Sequence, residues 1–391
     1  MVAPLQSEST TTHRAWVCSP AWDLFWLHGG LWLAPLAVLC SLGWADIEDS
    51  PTHLAYLALS ALFWIGHRFS STWLAWFTTA YATARTEQPL RFVVLPVAVV
   101  LMTFGVVLAP DDWLPGTWLQ RVLVLGALDY ALVTWHFAAQ HFGVLSLYRS
   151  RASAPDRTRS HVRTLDRFYA LTVGGGVIAV AELAQGATTL PDAWLGPLAD
   201  TTLFDGVRAP VALFTLALVC GQLAMAHRHT PGLPRALYIA GLGAMALAAL
   251  FAHPFVYLFC WTTQHWLAAM GLASIVVEGE PTPRKRRSFH GQMHRIHRVR
   301  GRFLLVLALL SAVSMPFYEV EASSGPEGRP VFLMLDQVLS GALTAPFTIQ
   351  ILTALGLATA FLHYLLDRAV WRFSDPSVRA AAAPLLRRPS P

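Results

Sequence analysis

The sequence predicts an all-α fold: a polytopic transmembrane helical bundle of about ten spans with the N and C termini in the cytoplasm. Three observations predict it. Of 391 residues, 55% are hydrophobic and only 13% charged, against about 25% charged in soluble globular chains. Apolar stretches of about 20 residues, long enough to cross a hydrocarbon core as helices, recur along the chain. The charges between those stretches alternate in sign. A chain so poor in charge cannot turn most of its surface to water, which excludes a water-soluble enzyme, a disordered chain and a nucleic-acid-binding domain.

The elements follow in order. Residues 1–20 read as a flexible polar tail without the charged and apolar regions of a signal peptide. Residues 21–372 read as a single transmembrane domain and 373–391 as a cytoplasmic tail. Spans are expected at 22–43, 54–80, 91–109, 118–148, 167–187, 208–226, 235–251, 254–277, 303–318 and 345–371. The seventh and eighth meet at Ala252-His253-Pro254, which predicts a tight helical hairpin. Residues 331–343 are apolar but short, as a re-entrant or interfacial piece would be.

Loop charge tests the order. Asp46, Glu48 and Asp49 follow the first span, Arg85 and Arg91 the second, and Asp111 and Asp112 the third. Arg149, Arg151, Arg157, Arg159, Arg163 and Arg167 follow the fourth. Arg284-Lys285-Arg286-Arg287 follow the eighth and Glu319, Glu321 and Glu327 the ninth. Positive loops stay cytoplasmic, so the alternation supports a multi-pass protein, placed here in a bacterial inner membrane. The net charge of +5 is then topological, and anionic lipid headgroups account for the basic loops without any nucleic acid. Trp113, Trp118 and Trp371 fall near span ends, as interfacial aromatics do. The four cysteines have no CxxC spacing and read as small core residues.

Fifteen histidines are the surplus to explain. An ionisable side chain within the membrane is costly and marks a functional site by default. His28, His67, His136, His141, His265 and His363 fall inside spans. Counted from the cytoplasmic helix ends at 1.5 Å per residue, they share a slab roughly 10 Å thick. Scattered structural histidines have no reason to share a depth, and this set predicts a metal site. Helical phase adds partners. Asp129, His136 and Gln140 lie on one face, and His363 and Asp367 at i, i+4 can share another. His141 is turned about 140° from His136, so the two either serve two metals or divide between ligand and support. Asp367 reads as a ligand or as a carboxylate orienting the His363 ring, and Gln264 and Gln140 as supports around the ligands. The competing reading of each histidine is a hydrogen-bonding bridge between helices.

Before the ninth span, Phe289-His290-Gly291-Gln292-Met293-His294-Arg295-Ile296-His297 places His290, His294 and His297 on one helical face. That spacing suits a metal, or an amphipathic segment lying on the anionic leaflet.

Two pieces resemble known membrane iron enzymes. His136-Phe-Ala-Ala-Gln-His141 has the HxxxxH spacing of the first histidine box of membrane fatty-acid desaturases and hydroxylases, and His294-Arg-Ile-His297 resembles part of their HxxHH boxes. A looser similarity is to the Brp/Blh-type membrane carotene dioxygenases, which carry iron-binding histidines on several transmembrane helices. The resemblance implies non-haem iron and an apolar substrate. Full HxxHH boxes are absent, and the desaturases have fewer spans.

The expected function is therefore a membrane-embedded, histidine-ligated oxidoreductase that uses O₂ on a lipid-like hydrophobic substrate. It would bind one or two iron ions, with haem, copper or zinc as alternatives, and receive electrons from a donor protein. Its ligands would come from His67, His136, His265 and His363 first, then His28, His141, Asp129 and Asp367. The rival functions are a haem- or quinone-binding electron carrier and a proton or metal transporter. No internal repeat is visible, which counts against the transporter.

Overall fold

The computed structural model describes residues 15–33, 63–151, 156–184, 201–251, 254–282, 288–322 and 330–387. The expected His253 turn, the Arg284–Arg287 run and parts of the first two spans lie outside the described residues. Among the described residues every regular element is helical and no strand occurs. Five of the described helices are long and apolar enough to cross a membrane.

α1 is short, Pro20–Trp26, with the Ser19 hydroxyl accepting from the Trp22 N–H at its start. α2 runs over 63–77 and ends in a π-helical turn, Trp73–Phe77. α3 covers Leu90–Leu108 and α4 is the long helix Trp118–Arg151. α5 covers 156–184 and widens into a π-helical turn at Thr172–Gly176. α6 is Thr201–His229, α7 Leu233–Phe251 and α8 Pro254–Glu278. α9 is the short Phe289–His297, α10 Arg300–Ala322, α11 Pro330–Val338 and α12 Pro346–Val370. Two short helical turns, Pro376–Ala381 and Ala383–Leu386, follow.

The short apolar stretch 331–343 has a clear reason to stop. After α11 the chain reverses through Ser340 and Gly341, both at positive φ (57° and 79°). The Asp336 carboxylate accepts the N–H groups of Leu343 (2.7 Å) and Thr344 (3.0 Å). Pro346 then opens α12 where a missing N–H costs nothing.

α12 packs against α3, α4 and α10, and α8 against α1, α7 and α10. The strongly apolar α3, α4 and α6 leave much of their outer faces exposed, including Leu101, Met102, Val124, Leu128 and Leu213. An uncovered apolar surface of this kind suits hydrocarbon, not water. Two glycines mark close crossings. A Cβ on Gly30 would stand 2.4 Å from the Gln264 Cα, so the chain after α1 runs directly over α8. A Cβ on Gly174 would stand 2.8 Å from the His141 ring, so the widened turn of α5 is what makes room for that histidine.

One expectation about the arginines is corrected. Arg149, Arg151 and Arg235 are buried, not spread on headgroups. Arg149 grips Oδ2 of the buried Asp166 carboxylate, and Arg235 (2.7 Å) and the Gln222 amide (2.5 Å) both donate to its Oδ1. Arg151 donates to the carbonyls of Val17, Leu385 and Arg387. The planar guanidinium presents five donors and satisfies several acceptors at once, so these side chains tie α4, α5, α6, α7 and both chain ends together at one face of the bundle.

Candidate metal centre

Four of the sequence-nominated ligands meet in the bundle interior. His136 of α4, His265 of α8, and His363 and Asp367 of α12 offer ligand atoms that all lie within 4.8 Å of one another, and all four residues are buried. His67 of α2 joins through His363, their Nε2 atoms 3.1 Å apart. The His136 ring lies 4.7 Å from that of His265 and 4.9 Å from that of His363, and the His67 ring lies 4.9 Å from that of His265.

Tautomers decide what these rings can do. The His363 Nδ1 sits 2.8 Å from the Ala360 carbonyl, and the His67 Nδ1 faces the Trp64 carbonyl. A carbonyl only accepts, so both Nδ1 atoms carry the proton, and in the neutral rings both Nε2 atoms are lone pairs. Those lone pairs point at each other across 3.1 Å. That contact is repulsive unless a cation or a proton lies between them. Two imidazole nitrogens held at about 2.0–2.1 Å from one tetrahedral ion sit about 3.3 Å apart, close to the spacing seen.

The remaining donors are also unsatisfied. Neither ring nitrogen of His265 has a hydrogen-bond partner, nor does Asp367 Oδ1. His136 Nε2 is 3.3 Å from Asp367 Oδ2, within ion-pair reach, yet it is not aligned as a hydrogen bond. Each buried polar atom left unpaired costs about 1–3 kcal/mol. A cation would satisfy one ring nitrogen of His265 together with His136 Nε2 and the Asp367 carboxylate, and this donor set of imidazoles and one carboxylate suits a first-row transition ion.

Neighbours hold the rings in place. Phe137 stacks on His265 at 3.9 Å and 19°, and Trp266 stacks on His67 at 6.0 Å and 24°. The Gln140 amide donates to the His265 carbonyl (2.9 Å), which links α4 to α8. Asp129 does not enter the centre. It accepts from the Tyr364 hydroxyl (3.0 Å), whose ring lies 5.0 Å from His136 and 4.3 Å from His363. Gln264 instead clamps the chain after α1, donating to the Leu27 carbonyl (2.6 Å) and accepting from the Leu31 N–H (3.1 Å).

His28 and His141 are not at this centre. His28 Nε2 lies 2.9 Å from the Tyr148 hydroxyl, and His141 Nδ1 lies 2.8 Å from the Tyr238 hydroxyl. The tyrosines, Phe137 and Trp266 escape a reading of the sequence for titratable groups at one depth. Phe137, Trp266 and Tyr364 carry a local signal, each next to a nominated histidine, and Tyr148 and Tyr238 carry none.

A second cluster has the same residue types and the opposite tautomer. Glu280, His294 and His297 are buried, with ligand atoms within 4.8 Å of one another. Here the Trp73 indole N–H donates to His297 Nδ1 (3.0 Å). Indole nitrogen only donates, so the neutral His297 ring carries its proton on Nε2 and donates it to Glu280 Oε2 (2.5 Å). His294 Nδ1 is 3.4 Å from the same oxygen. Glu280 Oε1 accepts from Thr79 and from the Ala80 N–H (3.2 Å). These atoms are already paired, and the cluster docks α9 against α2. His290 stays half-buried against Phe289 and outside the cluster.

Burial pushes the Glu280 carboxyl up, but the hydrogen bonds from His297 and Thr79 outweigh it and hold it down at about 2. A carboxyl depressed in the folded state stabilises above its unfolded pKa and loses that contribution as pH falls through the folded one. Stability in detergent is therefore expected to decline between about pH 4.5 and pH 2 in the wild type. Thermal unfolding of Glu280→Gln should lack that segment of the pH profile. An unchanged profile would assign the acid sensitivity elsewhere.

The chain matches no protein-family description, no curated protein and no solved structure with which it was compared.

Proposed function

We propose that this chain is a multi-pass integral membrane metalloenzyme, a non-haem iron oxygenase acting on a lipid-like hydrophobic substrate. In this reading it has ten spans, both termini in the cytoplasm, a place in a bacterial inner membrane and a donor protein for electrons. The observation that carries the reading is the convergence of buried ligand atoms of His136, His265, His363 and Asp367, with unpaired atoms on His136, His265 and Asp367. The facing Nε2 atoms of His67 and His363 strengthen it.

Mixed imidazole and carboxylate donors suit iron. Rings packed 4.7–4.9 Å apart leave no slot for a porphyrin between them, which favours non-haem iron over haem. Bound iron would supply a redox-active Lewis acid for reaction with O₂. The protein's own part is to hold the ligands in fixed tautomers through the Trp64 and Ala360 carbonyls, to orient His265 beneath Phe137, and to exclude water with apolar walls. A lipid-like substrate would reach the site sideways between helices.

Metal analysis and an optical spectrum of the purified protein test the reading. About one or two irons per chain without a Soret band is the expected result. Protein that takes up no iron, and whose thermal midpoint does not move when iron is added, would overturn it.

A further inference from the structure

The polar groups left over from the metal centre form a second buried chain, and that chain has a direction. It starts at Asp23 in α1, close beneath the surface at the end of α4 where the buried arginines gather. Asp23 Oδ2 accepts the Val17 N–H (2.7 Å) and Oδ1 the Cys18 N–H (3.0 Å), while the neighbouring Ala21 is exposed. The Tyr148 hydroxyl donates to Asp23 Oδ2 (3.1 Å), so His28 Nε2–H must be the donor in its 2.9 Å contact with the same hydroxyl. The His28 ring then packs edge-on against Tyr238 at 5.4 Å, and its Nδ1 has no hydrogen-bond partner. Tyr238 contacts His141 Nδ1 at 2.8 Å, and His141 Nε2 is buried and unpaired. His141 stands on the helix that carries His136, next to Gln140, whose amide donates to the His265 carbonyl.

Packing alone does not account for this row. Five titratable side chains from three helices and the segment after α1 are buried in series, each within one contact of the next. Phenylalanine and leucine would fill the same volume without the cost of burying polar atoms.

We propose that Asp23, Tyr148, His28, Tyr238 and His141 form a proton relay from the arginine-lined face of the bundle to the histidine–aspartate centre. The inference rests on the metalloenzyme reading, because a centre in an apolar interior that gains an electron needs a compensating positive charge nearby. Atoms balance along the row. A proton from bulk water enters at Asp23. At each hop one O–H or N–H bond breaks as the next forms. One added proton ends on His141 as imidazolium, and the relay groups behind it return to their starting states. The break between His28 and Tyr238 is crossed by turning the His28 ring over, which presents its Nδ1 lone pair to the Tyr148 hydroxyl and its Nε2–H to Tyr238, so that His28 gains one proton as it gives one up.

The test uses full-length protein in lipid nanodiscs, loaded with ferric iron and reduced by dithionite in a stopped-flow instrument, with a pH-indicator dye in the bulk. In the wild type, reduction is expected to take up about one proton per iron, slowed at least twofold in D₂O. In Tyr148→Phe and in Tyr238→Phe, iron content and the extent of reduction should be unchanged, and proton uptake should slow about tenfold or more. Tyr130→Phe, which removes a hydroxyl that donates to the Ala179 carbonyl of α5 and to no member of the row, should behave as wild type. Iron-loaded variants with wild-type proton uptake would overturn the relay alone. Protein that binds no iron would overturn the metal reading and the relay with it. Iron content reports folding in each variant. Should one tyrosine variant fail to load, the other decides.

Discussion

With His363 replaced by leucine, the protein is expected to lose its stoichiometric iron while remaining folded. His363 lies at the junction of the site. Its Nε2 faces that of His67 at 3.1 Å, and it belongs with His136, His265 and Asp367 to the set within 4.8 Å. Its Nδ1 bonds locally, to the Ala360 carbonyl one turn back. Leucine therefore removes a ligand and one of two opposed lone pairs, and leaves no distant partner unsatisfied. Replacing a polar side chain by an apolar one of similar volume can be neutral or stabilising when no partner is orphaned. In the absence of metal the variant should be at least as stable as the wild type, as expected where a site holds strain for function.

Added iron should raise the thermal midpoint of the wild type only. At a hundredfold excess over Kd, a ligand specific to the folded state stabilises by about 2.7 kcal/mol. The readouts are bound metal per chain and the thermal midpoint with and without iron. His28→Leu and His141→Leu should keep the metal, because both rings lie outside the centre. A His363→Leu protein that is markedly less stable than the wild type without metal would instead make the histidine a structural bridge between helices.

Replacing Asp166 by asparagine is expected to cost about 3–5 kcal/mol of stability, the range for breaking a buried ion pair by removing one partner. Asp166 is fully buried between Arg149 of α4 and Arg235 of α7, and Gln222 of α6 donates to it at 2.5 Å. Asparagine keeps the shape and one acceptor oxygen but leaves two buried guanidinium groups without a counter-charge. Denaturant unfolding in detergent measures the loss, with Asp205→Asn as comparison. Asp205 is exposed and pairs with Arg208 one helical turn away, where exposed ion pairs contribute about 0–1 kcal/mol. Equal effects at the two sites would contradict the burial argument.

Much of the site was legible before any coordinates. His67, His136, His265, His363 and Asp367 stood out because a charge-poor apolar helix makes an ionisable group conspicuous, and a shared depth is readable from span ends alone. Rotation about the bundle axis is not readable in that way. It depends on which faces of α4 and α8 meet, and on close crossings such as Gly30 over Gln264. His28 and His141, expected at the depth of the ligands, therefore belong to a different row, beside Tyr148 and Tyr238. Asp129 shares the helical face of His136 yet stands outside the ligand set, bonded to Tyr364.

The arginines show the same division. That they fall at the ends of the apolar stretches is a property of composition and order. That Arg149 and Arg235 turn inward to one carboxylate, while Arg151 gathers three carbonyls from both chain ends, depends on residues far apart in the chain.

The two histidine clusters mark the boundary most sharply. In the sequence, His363 with Asp367 and His294 with His297 are equally good metal signatures, because spacing on a helix sets only which side chains share a face. The tertiary structure separates them through the atom opposite each Nδ1. A backbone carbonyl at His67 and His363 leaves Nε2 as a lone pair for a cation. An indole N–H at His297 turns Nε2 into a donor to Glu280. Helical character and apolar spans come from local composition and period, so the chain alone carries them. Which nitrogen holds the proton depends on a partner brought from another helix, and only the packed bundle supplies it.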